Sequence, residues 1–302
     1  MWFLFAILTT LSWGTADLFY KKGSDSNDNY SHLKVGIMVG LVMGIHAILY
    51  MLIKGLQFDP IDMVKYLPVS SMYIISMLIG YFGLRYIELS ISSPVQNSSG
   101  AITAILLYIF FPRPVGWINI AGIVFITLGV IGLGVLEKRA QTAALKAENA
   151  VVDPKYQLSI LAITFPILYA FFDALGTFAD GIYLDELSLI SEDAALLAYE
   201  FTWLLIAIVS YIYIYFIKKE AFNVFKQPVR TSAAVFETAG QFFYVFAMTE
   251  RAIIAAPLIA SYSVVSVILS RIFLKEKLST VHYAMIMIVV MGIALLGIAD
   301  EM

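Results

Sequence analysis

Cysteine is absent from these 302 residues, which excludes a disulfide framework, thiol chemistry and any cysteine-ligated metal. Histidine is scarce: His32, His46 and His282 stand far apart and give no zinc-type spacing. Charge is also sparse. Asp, Glu, Lys and Arg make up 14% of the chain, against roughly 25% in soluble globular domains. The net charge of −3 says little about partners when most of the surface is apolar, and no nucleic-acid partner is expected. No phosphate loop, nucleotide fingerprint or nucleophile constellation occurs, so neither an enzyme, an ATP-driven engine nor a bound cofactor is expected.

What remains is apolar: 61% of residues, with a mean hydropathy of +0.86. The implied class is an all-α polytopic membrane protein. A spanning helix needs about 20 apolar residues, and ten such runs are found. They are Trp2–Tyr20, Val35–Ile53, Tyr66–Ile87, Ile91–Phe111, Val115–Leu136, Gln157–Ala179, Ala194–Ile217, Thr231–Met248, Ala252–Leu274 and Val281–Ile298. The runs lack the period-2 alternation of a membrane barrel. Met1–Thr10 has no basic n-region and no small-residue cleavage site, and reads as part of the first span. The fourth run opens with Ser92, Ser93, Pro94, Gln96, Asn97, Ser98 and Ser99, a polar stretch that survives in a membrane only against protein or an aqueous cavity.

Basic residues set the expected orientation. The odd-numbered connections hold most of them, including Lys21, Lys22, Lys138, Arg139, Lys218, Lys219, Lys275 and Lys277, whereas the sixth connection, Asp180–Asp193, holds acids and no base. This places the basic loops in the cytosol of a bacterial cell and both termini outside its plasma membrane.

An internal repeat is visible. An offset of 163 residues superposes Ile91–Gly134 on Ile254–Gly297 without a gap and matches Pro94 to Pro257, Ser98 to Ser261, Gly129 to Gly292 and Gly134 to Gly297. An offset of 156 brings Trp13 onto Tyr169 and Asp17 onto Asp173. The predicted halves are 1–136 and 157–302, joined by a cytosolic linker at 137–156. Five spans per half is odd, so the halves are expected to be inverted relative to each other. That architecture suits alternating access about a midplane site.

Four carboxylates fall inside apolar runs: Asp17, Asp173, Glu200 and Glu237. A carboxylate at a bilayer centre costs about 2.5–3.5 kcal/mol on insertion scales and marks a functional site by default. Helical spacing groups Trp13, Asp17 and Tyr20 on one face, Tyr169, Asp173 and Thr177 on another, and Glu237, Gln241 and Tyr244 on a third. Glu200 and Trp203 lie together on the seventh run, and Tyr262 follows Pro257 on the ninth. All are expected to converge on one central cavity. Trp13, Trp203, Tyr244 and Tyr262 would form an aromatic cage, since a cation over such a face gains roughly 0.5–2 kcal/mol. Gln96 and Asn97 would orient a polar ligand, His46 could relay protons, and Pro94 and Pro257 are expected to kink their helices.

The chain resembles the EamA-type carriers of the drug/metabolite transporter superfamily over nearly its whole length. The residues that carry this are Leu11-Ser12-Trp13-Gly14, like the family's first-helix Trp-Gly, and Ala252–Ile298, like its repeat ending. In that ending a proline-bearing helix is followed by Phe273-Leu274-Lys275-Glu276 and a glycine-punctuated last helix. The first half departs from the pattern: Phe111–Val115 reads Phe-Pro-Arg-Pro-Val and lacks the turn glutamate. Many relatives are drawn with cytoplasmic termini, whereas the charge distribution here places them outside. The resemblance implies a carrier of small metabolites and leaves the cargo open. The acids and aromatics point to a small organic cation, such as a quaternary ammonium or an amine, with protons as a further partner. A neutral or zwitterionic metabolite, with the acids as proton sites, is the alternative. A monomer or a homodimer in the lipid bilayer would serve.

Overall fold

The computed structural model describes residues 1–147, 164–276 and 278–301. The end of the predicted linker, the first residues of the sixth predicted run and Lys277 lie outside them. The regular structure of the described residues is all helical, without strands. The helices are α1 (Trp2–Gly23), α2 (Ser31–Lys54), α3 (Pro60–Gly83), α4 (Leu89–Gln96), α5 (Ser99–Phe110), α6 (Trp117–Ala147), α7 (Thr164–Gly181), α8 (Glu192–Ile212), α9 (Pro228–Ala260), α10 (Tyr262–Leu269) and α11 (Thr280–Glu301). Short π-helical turns extend α7, α8 and α10.

The sequence dictates several boundaries locally. Asp59 caps α3 by accepting the Ile61 N–H, with Pro60 in the first turn, where its missing donor costs nothing. Ser191 caps α8 through the Ala194 N–H, and Glu192 and Asp193 follow at the positive end of the helix dipole. Gly55 ends α2 in the left-handed conformation, at φ 66°.

Among the described residues, eight helical segments are long and apolar enough to cross a membrane. This differs from the ten predicted runs in two places. Ile91–Phe111 is not one helix. It breaks at Asn97 and Ser98, giving α4 and α5, each too short to span alone. Pro94 removes a backbone donor, and the Asn97 side-chain amide donates to the Ser93 carbonyl at 2.8 Å, so side chain and ladder compete at the break. Thr231–Met248 and Ala252–Leu274 share the continuous stretch Pro228–Leu274. Within it Arg251 leaves the helical region at φ −154°, ψ 61°, and a second break falls at Ser261, four residues past Pro257. Ser98 and Ser261 are 163 residues apart, the repeat offset.

Packing is reciprocal between the halves. α1 lies along α9, and α7 along α3; α2 packs on α8, α6 on α11, and α5 and α10 against α9 and α1. The α6–α11 crossing is close because Gly292 has no side chain: a Cβ there would sit 2.8 Å from the Gly122 carbonyl oxygen. Ile45, Leu49, Leu52 and Ile53 on α2 are exposed, as a lipid-facing stripe requires.

Polar ties close the two ends of the bundle. At one end Lys21 Nζ donates to the Leu84 and Ile87 carbonyls at 2.8 and 2.5 Å. Buried Lys34 pairs there with Asp28 at 2.9 Å and with Glu220, while Arg230 approaches Asp28 at 3.8 Å. Burial works against the Asp28 charge. The hydrogen bond from Lys34, the Tyr30 N–H and the fields of Lys34 and Arg230 outweigh it and hold that carboxyl below its ordinary value. At the other end the terminal amine meets Glu250 at 3.3 Å, and Trp2 Nε1 donates to Asp300 at 2.6 Å. The N-terminus, the connection before Arg251 and the end of α11 therefore lie on the same side.

Candidate functional site

Between the ends lies a cavity of about 60 Å³. That exceeds the roughly 10–15 Å³ needed for one water-sized group on this scale, so the space holds a few of them. Trp13, Asp17 and Tyr20 reach it from α1, and Tyr73, Met77 and Tyr81 from α3. The α4–α5 break contributes Gln96, Asn97 and Ser99. Tyr169, Asp173 and Thr177 enter from α7, Tyr199 from α8, and Glu237, Gln241 and Tyr244 from α9. Ala256, Ile259 and Tyr262 flank the second break. The three faces read from helical spacing thus all open onto one space.

Among the described residues the lining contains three carboxylates and no Lys, Arg or His. Each carboxylate is held by hydroxyls. Asp17 Oδ2 accepts from Ser93 Oγ at 2.6 Å and from Ser266 Oγ at 2.7 Å, so one oxygen ties α1 to both α4 and α10. Asp173 Oδ2 accepts from Ser99 Oγ at 2.6 Å, and Glu237 Oε2 from the Tyr20 hydroxyl at 3.1 Å. Among the described residues none of the three forms an ion pair. Lys21, one turn beyond Asp17, is engaged with the carbonyls after α3.

Aromatic rings form the rest of the wall. The Trp13 and Tyr244 rings lie 5.0 Å apart at 32°, and Trp13 meets Tyr262 edge-on at 5.8 Å. Trp13 Nε1 donates to the Glu237 carbonyl at 3.3 Å. Tyr73 and Tyr244 share a hydroxyl–hydroxyl bond of 2.5 Å, and Tyr73 also donates to Thr177 at 3.0 Å. Gly240 makes the Trp13 position possible, because any Cβ there would overlap the indole ring.

Ten of the twelve residues singled out in the sequence line this cavity: Trp13, Asp17, Gln96, Asn97, Tyr169, Asp173, Glu237, Gln241, Tyr244 and Tyr262. Glu200 and Trp203 do not, contrary to the expectation of a single convergence point. The reason is helical geometry. Each residue turns about 100° from the last, so with Tyr199 facing the cavity, Glu200 faces α2. There His46 Nδ1 lies 2.8 and 2.9 Å from the two Glu200 oxygens. Trp203, four residues past Tyr199 and three past Glu200, points between those two directions and packs fully buried over Gly36 and Gly40.

Sequence reasoning missed Tyr73, Met77 and Tyr81 in the wall, whereas Tyr20 and Thr177, grouped by helical spacing with Asp17 and Asp173, line it, as do Ser99 of the polar stretch and Tyr199. Asp180, assigned to a connecting loop, is wholly buried at the end of α7 and accepts a hydrogen bond from the Tyr66 hydroxyl. The signal was present: Asp173 and Asp180 are i, i+7, as are Tyr66 and Tyr73. Among the described residues no group of three or more acids or histidines is placed to hold a metal.

Comparison with known proteins agrees with this architecture. A crystal structure titled only as that of a protein superposes with a TM-score of 0.63, covering 95% of this chain and 97% of the other. At 13% identity the likeness speaks for the fold alone. No curated protein matches the chain. The residues that match a family lie in the first half, which holds Leu11–Gly14, Asp17 and the α4–α5 break. Residues 1–135 match the model of the EamA-like transporter family, to which that part of the chain is similar.

Proposed function

We propose that the protein is a secondary carrier for a small organic cation, a quaternary ammonium or an amine, moved by alternating access. One observation carries this reading: three carboxylates and several aromatic faces line one small cavity that has no basic side chain. Uncompensated charges in a water-poor interior are costly, and a bound cation relieves that cost. Aromatic faces such as Trp13 and Tyr244 add cation–π attraction once the cation sheds water. The size suits a cargo of a few heavy atoms. Protons are the second partner in this proposal, with Glu237 exchanging one as cargo leaves.

The transport cycle is proposed to be a rocking of two inverted five-span halves. Its support is the reciprocal packing, with α1 on α9 mirrored by α7 on α3, and the pair of breaks at Ser98 and Ser261. The ten-span count follows if α4 with α5 is one span and Arg251 divides Pro228–Leu274 into two. The termini are assigned to the outside of a plasma membrane from the distribution of basic residues. One chain supplies both halves, so a monomer suffices.

The test is current on solid-supported membranes bearing reconstituted protein, challenged with quaternary ammoniums, amines, neutral amino acids and organic anions, with tracer counterflow alongside for electroneutral exchange. Saturable signals confined to cations are expected. Signals from zwitterions or anions alone would overturn the cation assignment.

A further inference from the structure

The family's turn glutamate has a visible task in this fold. Glu276, just past the π turn that follows α10, accepts the N–H groups of Leu89 at 3.4 Å and Ser90 at 3.1 Å. It thereby caps α4 from the other half of the molecule. Subtracting the repeat offset of 163 carries Leu89's counterpart, Ala252, back onto Leu89 and Glu276 onto Arg113. The first half thus has a cation where the second has its capping anion.

The counterpart helix start is nevertheless capped. The Ala252 N–H donates to Asp185 Oδ2 at 3.0 Å. Arg113 holds that same carboxylate, Nη1 lying 3.1 and 3.3 Å from its two oxygens, and its Nη2 reaches Glu186 at 2.7 Å. The reversed charge at position 113 is answered by an acid from a third element, and the cap is preserved through an ion pair.

The two caps sit at opposite ends of α1. Lys21 meets Ile87, two residues before Leu89, and Met1 meets Glu250, two residues before Ala252. Twenty residues of helix separate these contacts, about 30 Å at 1.5 Å per residue. Each capped segment then runs inward and breaks at the cavity wall, one at Asn97 and Ser98, the other at Ser261. Glu88, beside the first cap, shows how enclosed that end is: burial pushes its carboxyl up, the Glu276 charge adds to the effect, and Lys21 opposes it.

We propose that Glu276 and Arg113 are repeat-equivalent positioning residues, each keeping the cavity shut on its own side by anchoring the outer end of one broken helix. Glu276 does so directly and Arg113 through Asp185. The inference rests on the alternating-access reading above. It explains why the first half lacks the turn glutamate without losing the helix start that the glutamate serves.

The absence of cysteine makes the test clean. Ile259→Cys places a single thiol on the cavity wall. Its rate of reaction with a membrane-impermeant maleimide is measured from each side of oriented membrane vesicles. Arg113→Ala should speed labelling about tenfold from the Met1 side only, as expected for a lost charged hydrogen bond. Glu276→Ala should do the same from the Lys21 side only. Arg113→Lys and Glu276→Gln, which keep the charge or an acceptor, should label more slowly than the alanine variants. Unchanged rates, or acceleration from both sides at once, would overturn the proposal. The readout needs no cargo: side-specific labelling without cation transport would sink the cargo reading alone, and cation transport with unchanged labelling would sink the positioning roles alone.

Discussion

Glu237→Gln is the sharpest probe of the cavity. The substitution keeps shape and leaves a carbonyl oxygen to accept from Tyr20, whose hydroxyl lies 3.1 Å away in the native protein. Folding should therefore survive, with the melting temperature in detergent nearly unchanged. Binding should not. A unit charge about 4 Å from a cation contributes about 4 kcal/mol at an effective dielectric of 20. Asp17 and Asp173 remain in the wall and the amide dipole recovers part of the loss, so about 1.5–3 kcal/mol should disappear. That corresponds to roughly tenfold to a hundredfold in Kd. Titration calorimetry with tetramethylammonium on purified protein measures it directly, with the native chain as reference. A folded variant that binds the cation as tightly as the native protein would refute the counter-charge argument, because the charge would then do nothing for the ligand.

Other expectations follow from the same geometry. Glu200→Gln should leave cation affinity within about twofold, since Glu200 is turned to His46, but should lower thermal stability through the weakened buried pair; a large affinity loss in calorimetry would place Glu200 in the binding path. Gly240→Ala should cost about 1–3 kcal/mol from overlap with Trp13 and impair cation binding with it, read by denaturation and titration, and a variant as stable as the parent would mean that the indole has room to move. Asp28 is held below its ordinary value of 3.8, so its contribution to stability is complete above that value and is lost as pH falls through the lower folded value. Asp28→Asn should accordingly flatten the acid limb of the stability–pH profile below about pH 4, and an unaltered limb would contradict the assignment.

The sequence carried most of the fold because lipid imposes a length and a polarity on every crossing segment. Runs such as Val35–Ile53 and Val115–Leu136 have no other reading. Boundaries blurred where the chain mixes rules. Ile91–Phe111 has the length of a span, but Pro94 and the Asn97 amide break it, and the serine-rich start was the visible warning. The faces of α1, α7 and α9 were legible because an acid and an aromatic recur one or two turns apart. Glu200 defeated the same logic because helical spacing fixes directions relative to one another but not which of them meets the cavity. Its neighbour Tyr199 has the cavity, and only His46 on another helix decides that. The wall tyrosines of α3 escaped notice because an aromatic in an apolar run is unremarkable until its hydroxyl finds a partner, as Tyr73 finds Thr177 and Tyr244. Asp180 was lost to a loop because the acids that follow it look like one.

The small volume of the cavity has a consequence of its own. A space of about 60 Å³ favours a bare small ion over the same ion with its full hydration shell. Under the proposed cation reading, cargo would be stripped before it is held, and selection would act on hydration energy as well as on charge. Sodium, potassium and primary ammonium lose the most on stripping, and fully alkylated ammonium loses the least. For the cationic cargo proposed above, a wall of carboxylates would thereby favour the poorly hydrated cations through the size of the cavity.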